Sequence, residues 1–220
     1  MNIGTFGGIS DDTIVVTTLA TTTKLVAFVG IHQGTIDNVT LNGVSLNFRV
    51  RAATAFNETM EIWDIDNPGA LTSVNLVVSY SGGSGPAIGY INLEKSSTGA
   101  PDNTASNTGT SSGPSVSITP NVNNCIILAA KYAEEVCSAT SDNEIFRVTA
   151  NYYESSAANY YQQGSKANKT MSFTIASSQR FAAVAVSIAP DQQPPTPSFR
   201  LNVNGGTKLK PRPFGPGIAR

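Results

Sequence analysis

Apolar and polar residues alternate along this chain in short stretches, with turn-forming residues between them. Residues 13–16 (TIVV) are short and β-branched. Residues 24–31 (KLVAFVGI) form a continuous apolar run, the pattern of a central strand. Val39 and Leu41 alternate with polar neighbours, Asn42-Gly43 supplies two residues tolerant of positive φ, and alternation resumes at Val44 and Leu46. This spacing predicts a tight hairpin closed by a type I′ turn. Residues 59–65 put Met60, Ile62 and Asp64 on one face and Glu61, Trp63 and Ile65 on the other, which predicts a strand interior to a sheet. Further strands are predicted over residues 73–80, 87–93, 115–119, 125–131, 145–149, 169–175 and 180–188.

Residues 96–114 have almost no large apolar side chain and predict a long exposed loop. Residues 152–164 are aromatic and polar without clear periodicity. The total is about ten strands and no amphipathic helix, so the expected fold is all-β, an antiparallel two-sheet β-sandwich over residues 1–190. A closed barrel is the other way to remove sheet edges. Residues 191–197 (DQQPPTP) read as a stiff Pro-rich linker, and residues 198–220 as an extended basic C-terminal arm with too few apolar groups for a core.

Only 13% of residues are charged while 40% are hydrophobic, and Ser, Thr and Asn supply most of the polarity. That profile excludes a charge-rich helical bundle or coiled coil. No apolar run approaches the ~20 residues of a membrane helix, so no membrane partner is expected. The first residues lack the basic start and apolar stretch of a secretory leader. A net charge of −1 conceals an asymmetry: from Asp191 onward five basic residues face one acid, while the preceding residues hold nine basic and fourteen acidic groups. Five cations broken up by prolines are too scattered to predict nucleic-acid binding. Cys125 and Cys137 show no metal-ligand spacing; reduced, partly buried thiols are the default reading, with a hairpin disulfide as the alternative.

The hairpin TIDNVTLNGVSL (residues 35–46), MEIWDIDNPG (60–69) with SVNLVVSYSG (73–82), and the final strand FAAVAVSIAP (181–190) resemble a sandwich domain of bacteriophage virion proteins and some bacterial surface proteins. The closing LKPRPFGPGIAR is similar to Pro/Arg-rich tails of small phage structural proteins. The resemblance implies a jelly-roll-like sandwich in a virion setting, carried on the particle and assembled in the host cytoplasm. It implies no catalytic signature and no cofactor.

Candidate chemistry is sparse. His32 is the one histidine, which excludes multi-histidine metal sites, and its place after an apolar strand reads as a surface position. No nucleophile elbow, phosphate loop or dinucleotide fingerprint occurs. Asp64 and Asp66, with Glu58 and Glu61 nearby, form the densest acidic group; the first two share a face, so they are the residues a glycosidase or calcium site would use. Glu134, Glu135 and Asp142 read as solvated loop residues. Trp63 reads as a core anchor. Tyr152, Tyr153, Tyr160 and Tyr161 are candidates for glycan or protein contact.

The function expected from these features is that of a non-enzymatic virion structural protein, a capsid decoration or accessory subunit. Its arm would bind the major capsid protein or other virion subunits through Arg200, Lys208, Lys210, Arg212, Phe214 and Arg220. Self-association into a homo-oligomer fits that setting. The alternative is a glycan-binding module of a tail fibre or adhesin, and a carbohydrate-active enzyme resting on Asp64 and Asp66 is a remote third.

Overall fold

The computed structural model describes residues 1–150 and 154–191, so Tyr152, Tyr153 and the arm residues Arg200, Lys208, Lys210, Arg212, Phe214 and Arg220 lie outside the described residues. The described chain is all-β and antiparallel. Its first half comprises β1 (Asn2–Ile9), β2 (Thr13–Thr18), β3 (Thr22–His32), β4 (Gly34–Leu41), β5 (Val44–Ser45), β6 (Asn47–Ala53), β7 (Glu58–Asp66), β8 (Leu71–Gly82) and β9 (Ala87–Glu94). Its second half comprises β10 (Asn103–Ser111), β11 (Ser115–Ile118), β12 (Cys125–Ala133), β13 (Cys137–Thr140), β14 (Asn143–Ala150), β15 (Glu154–Gln163), β16 (Lys169–Ile175) and β17 (Gln179–Ile188).

These strands form four sheets, not the two expected. The first half makes an inner sheet ordered β1-β9-β3-β7-β6 and an outer sheet ordered β2-β8-β4-β5. The second half makes an inner sheet ordered β10-β17-β12-β15-β14 and an outer sheet ordered β11-β16-β13. Replacing β1–β4 by β10–β13 and β6–β9 by β14–β17 converts one pair of orders into the other. The chain therefore uses one strand plan twice, with β5 as the addition in the first half.

The physical reason for four layers is the two-sided burial of the inner strands. Along β3, Leu25, Ala27, Val29 and Ile31 face the first outer sheet and pack with Val39, Leu41, Leu76 and Trp63. Val26 and Phe28 face the other way, into a core shared with Leu128, Phe146 and Val184 of the second half. A third core places Ile127, Ala129 and Ala185 against Val116, Met171 and Phe173 of the second outer sheet. Strands apolar on both faces need a cover on each, so two sheets are insufficient.

Several predicted elements are found where the pattern placed them. Asn42 (φ 50°) and Gly43 (φ 78°) form the tight turn, with Leu41 opposite Val44. The strand carrying Trp63 is interior, between β3 and β6. The expected loop at 96–114 is corrected: residues 103–111 are β10, a polar edge strand paired along its whole length with β17. Its side chains are Asn, Thr, Ala, Ser and Gly, so no apolar alternation marks it.

The seam between the inner sheets is shaped by glycine. Gly8, Gly89 and Phe28 lie side by side across β1, β9 and β3. The two glycines leave a recess for the Phe146 ring, whose centroid is 6.0 Å from that of Phe28. A Cβ on Gly89 would sit 2.1 Å from a Phe146 ring atom, and one on Gly30 would sit 2.3 Å from the Tyr132 ring. Gly89→Ala should therefore destabilise the protein by about 1–3 kcal/mol through overpacking. Gly164→Ala, whose Cβ meets nothing within 4 Å, should be close to neutral. Denaturant midpoints check this; equal effects of the two substitutions would contradict the seam packing.

Candidate functional site

One end of the seam collects charge from both halves. His32 closes β3 and pairs in register with Glu58, the first residue of β7. From the second half, Glu134 follows β12 and Arg180 comes from the start of β17. The Arg180 guanidinium donates through Nε to Glu58 Oε1 at 3.0 Å and through its second nitrogen to Glu134 Oε1. His32 Nε2 is 3.9 Å from both of those oxygens. The exposed Phe56 ring carries the guanidinium 4.1 Å from its centroid, a cation–π contact.

Glu58 is fully buried. Burial alone would raise its pKa, but hydrogen bonds from the Thr54 hydroxyl, the Arg180 guanidinium and its own backbone N–H outweigh burial and hold it below the ordinary value. His32, Glu58 and Glu134 have donor atoms within 4.8 Å of one another, the spacing a metal ion could use. Arg180 is bonded to the same two carboxylate oxygens, so the cation that neutralises the cluster comes from the chain itself. His32 is therefore part of a buried-edge charge cluster and not the plain surface residue its sequence position suggests.

The acidic pair singled out by sequence has the same character. Lys24 Nζ donates to Asp64 at 3.1 Å, to Asp66, and to the Gly99 carbonyl at 2.9 Å. Arg49 donates to the other oxygen of Asp64 at 2.8 Å, and the Gly99 N–H reaches Asp66 at 2.6 Å. Asp64 and Asp66 do share a face, as expected, but they face a lysine and an arginine. The network fastens the segment joining the two halves onto the first inner sheet. Trp63 is a core anchor, its Nε1 donating to Glu61 at 2.6 Å and its ring meeting Phe48 edge-on at 5.4 Å.

Tyr160 and Tyr161 are neighbours on β15 and so point to opposite faces. Tyr160 packs against the seam core and Tyr161 against the second outer core, where Lys169 Nζ lies 3.9 Å above its ring. They do not share one exposed platform. Cys125 and Cys137 are free and buried. Burial, with Asp102 beside it, pushes the Cys125 thiol up to about 11, well away from a reactive thiolate. Lys131 is buried and donates to the Ser155 carbonyl at 3.0 Å; burial lowers its pKa to about 8, although Cys137 and Glu135 oppose the shift. Its ammonium is sealed from solvent, so the low pKa gives it no substrate to meet.

No protein-family model, curated protein or solved structure matches this chain. The site is thus known by its own geometry. Sequence reasoning missed the Glu58–Arg180 pair because the partners are 122 residues apart. The available signal was their place at strand ends, beside apolar runs that both halves bury.

The cluster makes a pH prediction. Glu58 has a folded pKa below its ordinary 4.5, so its contribution to stability is present above that value and is lost as pH falls through the folded pKa. Arg180→Met leaves Glu58 buried opposite Glu134 without its cation. The variant should melt below the parent at pH 7, and the deficit should close as pH falls through the lowered folded pKa of Glu58 and its carboxyl protonates. Thermal unfolding across pH checks this; a deficit independent of pH would show that Arg180 acts by packing and not by charge.

Proposed function

We propose that this chain is a non-enzymatic structural protein of a bacteriophage virion, a capsid decoration or accessory subunit held by its C-terminal arm. The observation that carries the non-enzymatic part is the state of the converging acids. Asp64, Asp66, Glu58, Glu61 and Glu134 each contact a cation of the same chain, an arrangement suited to holding sheets together and not to moving protons.

Each half also supports the resemblance to virion sandwiches. With β1 to β9 taken in order, the inner sheet β1-β9-β3-β7 opposes an outer sheet β2-β8-β4, the interleaving of a jelly roll. Viral shell and lectin domains both use that plan, so the fold supports the setting without choosing the job. The arm reading draws its support from the chain's exit. The Asp191 N–H donates to the Lys95 carbonyl at 2.8 Å, the Ser97 N–H donates to Ala189 at 2.9 Å, and Ser96 bridges Pro190. Fastening residues 189–191 in this way suits a following segment that bears load, and the charged residues of 192–220 are all basic. Arg212, Phe214 and Arg220 are the proposed anchors, charge setting orientation and the ring supplying burial.

The test is to delete residues 192–220 and measure binding to empty heads of the phage that carries the chain. The full chain should saturate its sites, and the truncated one should bind more than about tenfold more weakly. Equal occupancy by both would contradict the arm mechanism.

A further inference from the structure

We propose that β10 is a pairing edge through which two copies of this chain join, antiparallel, about a twofold axis. The starting observation is a contrast among the edges of the four sheets. An exposed edge strand offers unpaired N–H and C=O groups to any passing strand, and proteins commonly blunt it with a bulge, a charge or brevity. Here β1 carries a register break between Ile3 and Phe6, β2 one between Val16 and Thr18, and β13 one between Cys137 and Ala139. On β6 a break between Phe48 and Val50 accompanies Arg49 and Arg51; on β14 a break between Glu144 and Phe146 accompanies Glu144 and Arg147. The remaining edges, β5 and β11, are two and four residues long.

β10 has none of these devices. It runs nine residues in unbroken register with β17, with no charge and no proline, and residues 106–110 are all exposed. Nine residues extend about 30 Å, long enough for a full ladder of intermolecular hydrogen bonds.

The occupant is argued from the strand's own sequence. Antiparallel pairing centred on Asn107 sets Thr104 opposite Thr110, Ser106 opposite Thr108, and Ala105 opposite Gly109. Thr–Thr and Ser–Thr pairs across strands are favourable, and no like charges meet. Two strands pack on β10 and neither brings repulsion: β11 is uncharged and takes a hydrogen bond from Asn107 Nδ2 at its Ser115 carbonyl, and on β6 Arg49 and Arg51 are paired with Asp64 and Glu61. Beside Thr108, Gly109 and Thr110 lies a cleft bordered by Phe56, which is 57% exposed. The result of the pairing is an isologous dimer with one continuous ten-stranded inner sheet, built from two five-stranded ones.

The experiment is sedimentation of the full chain at rising concentration, to about 100 µM. The parent's mass should move from 23.0 kDa toward twice that value. Ser106→Lys with Thr108→Lys places lysines opposite lysines across the axis and should weaken the dimer more than about tenfold, with the melting temperature retained. Asn107→Cys should form a disulfide-linked dimer on mild oxidation, since the axis sets the two residues face to face. A parent that stays monomeric, a double-lysine variant that dimerises as tightly as the parent, or a dimer that Asn107→Cys does not cross-link would each overturn the proposal.

Discussion

The structure depends on one constraint: both inner sheets are apolar on both faces. An ordinary sandwich sheet shows one face to water, and alternation along each strand reflects it. In β3, β12 and β17 the alternation is lost, because Val26 and Phe28 on one side and Leu25 and Ala27 on the other are all buried. An inner sheet covered only by its own outer sheet would leave the seam face in water. Each half supplies the missing cover for the other, and the four-layer stack follows.

The seam is specific as well as apolar. Gly8 and Gly89 make a recess that Phe146 fills, and Gly30 leaves room for Tyr132, so the aromatic projections of one half have matching absences in the other. At one end the fit is reinforced by charge, with Arg180 of the second half bonded to the buried Glu58 of the first. The strands meet in exchanged pairs: β1 lies over β14 as β10 lies over β6, and β9 over β14 as β17 over β6. That is the pattern of an isologous interface, here made between two halves of one chain.

The all-β class and many of the strands are legible in the sequence, the four layers and the seam are not, and the limits have physical causes. Runs such as residues 24–31 and 181–188 announce buried strands because two-sided burial demands continuous apolarity, and Asn42-Gly43 announces its turn because its φ angles demand those residues. β10 escaped because an edge strand with little to bury needs no apolar alternation; Asn103 to Ser111 read as a loop. The repetition of the strand plan escaped for a related reason. Equivalent strands such as β3 (TTKLVAFVGIH) and β12 (CIILAAKYA) share burial, not residues, and burial is satisfied by many sequences. The acidic pair Asp64 and Asp66 was visible, but its cations Lys24 and Arg49 come from other strands, so its structural role could not be read from spacing.

The most direct measurement is to produce residues 1–102 and 103–191 as separate chains and follow each by near-ultraviolet circular dichroism and thermal unfolding, alone and mixed. Mutual cover across the seam predicts that neither piece shows a cooperative transition alone, and that mixing restores one. A first piece that folds cooperatively on its own, soluble and monomeric, would contradict the account, because its inner sheet would then be stable with the Val26, Phe28 and Ile62 face in water.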